Sequence, residues 1–578
     1  MYCNKENVNI LTSLLVAYGV KDAVVCPGSR NAAIVHNLNE CKTITCHPVT
    51  DERSAAFFAL GLALASGLPT VVCVTSGSAL LNTAPAVAEA FYQHLPLIII
   101  AADRPQQWID QLDGQTLPQP DALGKFVRRA VQLVEPHNDE ERWYCSRLAN
   151  EALFAATLRQ PAPVLVNVPI TEPLFGFDTE SLPVVRRFNA LGAPNCNLNN
   201  TSVHELQQRL YAAKRPMIVI GQLPYDALNI GSINRLAKHF VVLAEPLSSH
   251  SEDVIHFDEA IRFLTAHPDL SETYNPDYII YIGNTLVSKA TRKWLRHTHA
   301  ASCVVTPDAN ILHDPLMSMQ DVIECSDECI GMLLTMMLDI YLNSSVYKGD
   351  KEVWRNEESR KAFLSQWNDL LTRQEIKTVR FYPAYSQMAT VKYFEEQLAD
   401  LYDIIHVHYA NSTAIRLACI YAEHYVYCNR GVNGIEGSLS TAAGFAKSME
   451  QAGDITVCVI GDLSFFYDQN ALWNRNLGGS LRILLLNNGG GSIFKQLPGL
   501  DKSDAADCFV GAAHNTSAQG ICSQNDIGYL SAKNMEEMQI GVVRLLTIET
   551  KRPVLLEVFT DCNEDARILG EYYTKASS

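Results

Sequence analysis

The residues with the most chemical promise lie late in the chain. Asp462 sits in GDLSFFYDQNAL (461–472) directly after an apolar run, and Asn488 sits in NNGGGSIF (487–494) after the next, twenty-six residues on. That interval is one strand–helix–strand crossover. In a parallel sheet it places both residues at the carboxyl ends of neighbouring strands, where open α/β folds bind ligands. A carboxylate, an amide oxygen and a glycine carbonyl are hard oxygen donors suited to magnesium, which commonly bridges protein oxygens to substrate phosphates. Gly461 allows the turn, and amides at a helix start can receive a diphosphate. Taken singly, Asp462 reads as an N-cap and Asn488 as part of an Asn-Gly turn; the paired spacing favours a metal site.

Arginines form the second constellation. Arg30 ends PGSR (27–30), Arg430 follows Cys428-Asn429, and Ser412 and Arg416 are four apart at a helix start, so they share a face. A lone surface arginine is ordinarily just solvated. Three of them at strand ends or first turns around one cleft suit recognition of carboxylates, which guanidinium pairs bidentately. Glu52, in TDERSA, reads by itself as a first-turn glutamate complementing a helix dipole.

These residues need strands and helices to position them, and the chain supplies three α/β segments. In the first, KDAVVC (21–26), TVVCVTSGS (70–78) and LIIIAADRP (97–105) read as strands, with helices over 54–67 and 79–95. In the second, RPMIVIGQLP (215–224), FVVLAEPL (240–247), DYIIYIGNT (277–285) and SCVVTPDA (302–309) repeat the rhythm without GxGxxG, which favours a structural domain with no dinucleotide. Residues 346–380 are charged and helix-prone, as a linker would be. The third segment has strand-like runs at 403–412, 424–431, 454–462, 482–490 and 553–561. Short, nearly continuous apolar strands between helices predict parallel sheets covered on both faces. LGLALASGLPTVVCVTSGSALL (60–81) also lies well beside AGFAKSMEQAGDITVCVIGDLSFF (443–466), so the first and third segments read as related domains flanking a second.

Composition bounds the function. The chain has 578 residues, 47% hydrophobic and 19% charged, with a net charge of −17. That length and apolar content suit several buried cores. An acidic balance argues against nucleic acid, which needs a basic footprint. It leaves room for anionic small substrates held by local arginines. No run is apolar enough to span a membrane, and the N-terminus does not read as a secretory signal. The 16 cysteines lack CxxC spacing and several sit in strand-like runs, which suits a cytoplasmic protein with buried thiols.

GD followed by NN at this interval resembles the diphosphate-binding motif of thiamine diphosphate (ThDP) enzymes, whose three-domain order also matches. Within them the chain resembles the 2-succinyl-5-enolpyruvyl-6-hydroxy-3-cyclohexene-1-carboxylate (SEPHCHC) synthase family of menaquinone biosynthesis. PGSR (27–30), TDER (50–53), VTSGSA (74–79), ADRP (102–105), NSTAIR (411–416), NRGVNGIEG (429–437), GDLS (461–464) and NNGGGSIFKQLPG (487–499) carry the likeness. The resemblance implies three doubly wound, mostly parallel-sheet domains: pyrimidine-binding (1–185), central (186–345) and diphosphate-binding (355–578). It implies ThDP with Mg2+, or Mn2+ in its place, bound by Asp462, Asn488 and the Gly490 carbonyl.

Glu52 would bond the aminopyrimidine and so favour loss of the thiazolium C2 proton. Ile435 would prop the cofactor, and Gly461 and Ser464 would meet its diphosphate. Arg30, Gln115, Lys289, Ser412, Arg416 and Arg430 would hold the substrates 2-oxoglutarate and isochorismate, with Ile493 and Phe494 walling the pocket. The implied reaction is decarboxylation of 2-oxoglutarate and conjugate addition of the succinyl unit to isochorismate, in a homodimer or homotetramer with sites between subunits. Three positions depart from common patterns: Leu463 after GD, Gly114 before Gln115, and Ala290 after Lys289. The rival readings are another ThDP 2-oxoacid lyase or ligase, acetolactate-synthase-like, and a non-catalytic ThDP-binding scaffold.

Overall fold

A computed structural model describes residues 1–190, 196, 200–228, 230–248, 257–309, 311–343, 351–399, 401, 404–497 and 499–578. Among these residues, sixteen strands form three sheets, and every pairing in them is parallel. The first holds β1 (Asp22–Val25), β2 (Thr45–Pro48), β3 (Thr70–Val74), β4 (Leu97–Asp103), β5 (Arg129–Gln132) and β6 (Val164–Pro169), in the order β2-β1-β3-β4-β6-β5. The second holds β7 (Pro216–Ile220), β8 (Val241–Ala244), β9 (Tyr278–Ile282), β10 (Ala301–Thr306) and β11 (Met319–Glu324), in the order β11-β10-β9-β7-β8. The third holds β12 (Ile405–Tyr409), β13 (Ile455–Gly461), β14 (Leu481–Asn487), β15 (Gly528–Ala532) and β16 (Val554–Phe559), in the order β12-β13-β14-β16-β15.

Without its edge strand β2, the first sheet has the same topology as the third. The echo in the sequence is therefore a structural repeat: β3 corresponds to β13, and the helix before each strand corresponds too. Those two helices, Glu52–Ser66 and Ser438–Met449, pack on each other, and glycine makes the approach possible. A Cβ at Gly61 would stand 2.0 Å from the Thr441 carbonyl oxygen, and one at Gly444 would stand 1.9 Å from that of Phe58. Asp51 caps the first helix by accepting from the Ser54 amide at 3.0 Å, and Gly67 ends it in the left-handed conformation at φ 66°. Phe57, Phe58, Leu439 and Phe465 fill the shared core.

Three expectations change. Residues 79–95 form two helices, Ser78–Asn82 and Ala84–Gln93, with the break at Thr83 followed by Pro85 two residues on; proline favours a helix start over a helix interior. The run 424–431 is irregular, joined to the third sheet by a single bridge between His408 and Tyr427. The expected linker is a 29-residue helix, Lys351–Val379, whose Phe363, Trp367, Leu370 and Leu371 pack into the core under β7, β8 and β9; residues 346–350 of that expectation lie outside the described ones. Most charged side chains described on it face outward, as on an amphipathic helix, but Arg360 is buried and donates to the Tyr211 and Ala213 carbonyls at 3.2 and 2.9 Å. No described helix is long and apolar enough to cross a membrane.

Candidate active site

The carboxyl ends of β12, β13 and β14 line one rim of the third sheet. β13 delivers Asp462, which opens the helix Asp462–Tyr467 and is buried. Its Oδ2 accepts the backbone N–H groups of Asn488 (3.1 Å), Gly489 (2.8 Å) and Gly490 (3.0 Å), and its Oδ1 accepts from Leu463 at 2.7 Å. Burial pushes this carboxyl above the usual range, against the pull of those donors and of His514. Gly489 has φ 76° and Gly490 φ 159°, so the loop can turn three successive amides toward one oxygen.

Asn488 follows β14. Its Nδ2 donates to Asp565 at 2.9 Å, which fixes the amide orientation, while its Oδ1 is buried with no hydrogen-bond partner. An orphaned, oriented carbonyl oxygen beside a carboxylate is what a hard cation requires, because leaving such an atom buried and unpaired is costly. Asp462 Oδ1 retains a free lone pair for the same purpose. The Gly490 carbonyl accepts from the Ser492 amide at 3.2 Å, and its second lone pair is still open. The residues present fit a divalent cation.

The turn at Gly461 does not itself require glycine. Its φ is −77°, open to any residue, and a Cβ there would meet no atom of the chain within 4 Å. The space above it therefore belongs to no side chain of this protein, as a diphosphate seat would require. Ser464 is buried and donates to the Ile435 carbonyl at 2.5 Å, tying the helix to the segment that carries the half-exposed Ile435. Ile493 and Phe494 lie half-buried in the short helix Ser492–Gln496, with the Phe494 ring over Gly491; Pro498 of that motif lies outside the described residues.

The arginines divide. Arg416 and Lys289 line one cavity of about 90 Å³ between the second and third sheets. Arg430 is buried nearby, donating to Asn411 Oδ1 at 3.0 Å with its Nε unpartnered, and its charge reaches Arg416. Burial, with the neighbouring guanidinium groups of Arg262 and Arg430, lowers the pKa of Arg416. Arg30 is not in this group. It stands at the carboxyl rim of the first sheet, donating to the Ile170 carbonyl at 3.1 Å and paired with Glu172 at 3.4 Å. Ser412 is the N-cap of the helix Thr413–Tyr421 with φ 75°, so its relation to Arg416 is that of a cap and not of a shared helical face. Gln115 is exposed, with φ 57°, its backbone lying against Gly77.

Glu52 occupies the first position of its helix, partly buried, on the first sheet's side of the molecule. Its neighbours join the two repeats: Asp51 accepts from Asn470 at 2.6 Å, and Arg53 donates to the Tyr467 carbonyl at 2.6 Å and stacks on its ring. Sequence reasoning missed His514, whose Nε2 lies 3.4 Å from Asp462 Oδ2, and Asp565, which orients Asn488. It also missed Gln119, fully buried, which accepts from the Gly77 amide at 2.7 Å and donates to Asn167 at 2.7 Å. None sits in a motif, and each acts through a loop distant in sequence.

Comparison with known proteins identifies the family. Residues 6–123 match the family described as thiamine pyrophosphate enzyme, N-terminal TPP binding domain. A 2-succinyl-5-enolpyruvyl-6-hydroxy-3-cyclohexene-1-carboxylate synthase of Phocaeicola vulgatus is 40% identical, with 99% of each chain covered. The synthase of the same name from Bacteroides thetaiotaomicron is 41% identical with 99% of each covered, and that of Porphyromonas gingivalis is 32% identical with 100% of this chain and 98% of the relative covered. A solved thiamin diphosphate-dependent enzyme from Mycobacterium smegmatis shares the fold, with a TM-score of 0.68 at 16% identity over 96% of this chain and 100% of that one. The three parallel sheets, the Asp462–Asn488 rim and the full-length likeness converge: this chain belongs to the SEPHCHC synthase family of thiamine diphosphate enzymes.

Proposed function

We propose that this chain joins 2-oxoglutarate to isochorismate, releasing carbon dioxide and forming SEPHCHC for menaquinone biosynthesis. The observation that carries this reading is the end-to-end identity of 40% with a synthase named for that product. ThDP supplies a nucleophilic thiazolium carbon and an electron sink, and the protein supplies binding, orientation and electrostatics. Asp462, Asn488 and the Gly490 carbonyl hold Mg2+, with Mn2+ as a substitute, and Gly461 and Ser464 border the diphosphate. Glu52 would hold and exchange a proton at the aminopyrimidine, and Ile435 would support the cofactor. Arg416, Arg430, Lys289 and Ser412 bind substrate carboxylates and hydroxyl from the third-sheet side, Arg30 and Gln115 bind from the first-sheet side, and Ile493 and Phe494 exclude water.

The family resemblance supports a site completed between subunits, with the two sets of residues carried on different sheets. A two-fold dimer, or a tetramer of such dimers, supplies Glu52, Arg30 and Gln115 from one protomer and Asp462 with its neighbours from the other. The working domain limits are 1–185, 186–345 and 355–578. The free cysteines, most of them buried, support a reducing, cytoplasmic setting.

The test is purified protein with ThDP, Mg2+, 2-oxoglutarate and isochorismate, with product followed by mass. The reading expects the mass of SEPHCHC, dependent on both substrates. Equal use of pyruvate in place of 2-oxoglutarate would overturn it in favour of an acetolactate-synthase-like enzyme.

A further inference from the structure

The cavity between the second and third sheets contains a cation that no motif announces. Arg262, on the helix Asp258–Ala266, pairs through Nε with Asp258 Oδ2 at 2.8 Å, and its guanidinium lies 3.6 Å from the ring centroid of Tyr573. Tyr573 comes from the helix Cys562–Ser577 at the end of the chain, so residues 311 positions apart build one wall. The Asp258 contact and the stacking hold the guanidinium plane in one orientation. Asp258 also accepts from the Ser288 hydroxyl, and Ser288 caps the helix that begins with Lys289. Buried Glu245 accepts the Val287 and Ser288 amides at 2.6 and 2.9 Å, so the turn before Lys289 is clamped from two sides.

The charge around this cavity is out of balance. Arg262, Lys289 and Arg416 all line it, and the anionic linings are Asp258, spent on Arg262 and Ser288, and Glu245, spent on two amides. Arg416 has no hydrogen-bond or ion-pair partner for its guanidinium among the described residues, although burial and its cationic neighbours already depress its pKa. A half-buried guanidinium beside a second one is unfavourable unless an anion joins them. The remaining lining, Ala244, Pro246, Phe257, Val287 and Ile420, is apolar. Apolar walls with converging cations suit a short methylene chain ending in a carboxylate.

Arg416 stands one turn into the helix after β12, on the same rim as Asp462, so such a carboxylate would belong to a molecule reacting there. We infer that Arg262, oriented by Asp258 and Tyr573, is a specificity-determining residue that binds the distal carboxylate of the 2-oxo dicarboxylic acid together with Arg416. This rests on the proposed function for the identity of the acid, and deepens it by assigning where its far end is read.

The experiment uses the ThDP- and Mg2+-loaded protein and Arg262→Gln, with three readouts: glutarate binding by calorimetry, ThDP affinity, and kcat/KM for 2-oxoglutarate against 2-oxovalerate, which lacks the distal carboxylate. Loss of one charge-assisted contact predicts roughly ten- to hundredfold weaker glutarate binding and a similar rise in KM for 2-oxoglutarate. ThDP affinity and the KM for isochorismate should stay within about twofold, and Arg262→Lys should recover part of the loss. Unchanged glutarate binding in Arg262→Gln would overturn the inference, as would parallel loss of ThDP affinity, which marks a purely structural role. The unmutated protein gives a test independent of folding: equal kcat/KM for 2-oxovalerate and 2-oxoglutarate would also overturn it. Should glutarate binding depend on Arg262 while no SEPHCHC forms, the pocket stands and the proposed reaction falls.

Discussion

Gly61→Ala probes the contact that holds the two repeats together. An added Cβ would stand 2.0 Å from the Thr441 carbonyl oxygen, and 2.7 Å from the Phe445 nitrogen, with backbone on the far side that cannot rotate away. The helices Glu52–Ser66 and Ser438–Met449 must then separate by at least about 1 Å, and a gap of that size forfeits a quarter to a half of each dispersion contact it opens. Alanine gains about 1 kcal/mol over glycine in a helix interior, whereas overpacking of this kind costs about 1–3 kcal/mol and at times more. With backbone as the obstacle we expect the upper part of that range, for a net loss of about 1–2 kcal/mol. Gly570→Ala is the control. It lies inside the helix Cys562–Ser577 with nothing within 4 Å of its Cβ position, so it should gain up to about 1 kcal/mol. Urea unfolding should place the two midpoints on opposite sides of the unmutated protein. A Gly61→Ala midpoint equal to or above that of the parent would refute the reasoning. Because Glu52 begins the displaced helix, turnover of the variant should fall as well.

Asp462→Ala removes the carboxylate that organises the 488–490 loop, so tight ThDP binding in Mg2+ should disappear by calorimetry; unchanged affinity would contradict the metal assignment. Asp468 is fully buried, accepts both the amide and the hydroxyl of Ser440, and burial pushes its carboxyl up to about 7. The folded chain therefore holds this proton where the unfolded chain has lost it. The stability it contributes is complete below about pH 4 and is lost as pH rises through about 7, and Asp468→Asn should flatten that decline in urea midpoints measured from about pH 4 to 8. Light scattering at assay concentration should find at least a dimer, and a fully active monomer would contradict a site shared between subunits.

The Asp462–Asn488 rim was legible because its two residues sit at fixed places in a local unit: strand, glycine, aspartate, then the next strand and its Asn-Asn pair. The parallel sheets were legible for the same reason, since Val71–Val74 and Ile98–Ala102 are buried runs that could be little else. What failed depended on partners far along the chain. The Lys351–Val379 helix looked like a linker because the core that receives Trp367 is built from β7, β8 and β9. Arg30 looked like a neighbour of Arg416, but within one chain it is tied to Ile170 and Glu172, just past the end of β6 in the first sheet. His514, Asp565 and Arg262 have no local pattern at all; each acquires its role only when distant segments meet.

The most direct measurement of the account is exchange of the thiazolium C2 proton, by quenched NMR, in the ThDP- and Mg2+-loaded Glu52→Gln protein. Glutamine preserves the size of Glu52 and can hydrogen-bond the aminopyrimidine, but it cannot cycle a proton with it. ThDP should remain bound through the Asp462 rim, while exchange and SEPHCHC formation slow together by about 10²–10⁴, the range of a lost general acid–base contribution. Exchange and turnover at the unmutated rate would show that Glu52 only opens its helix, and would contradict the assignment of the catalytic group.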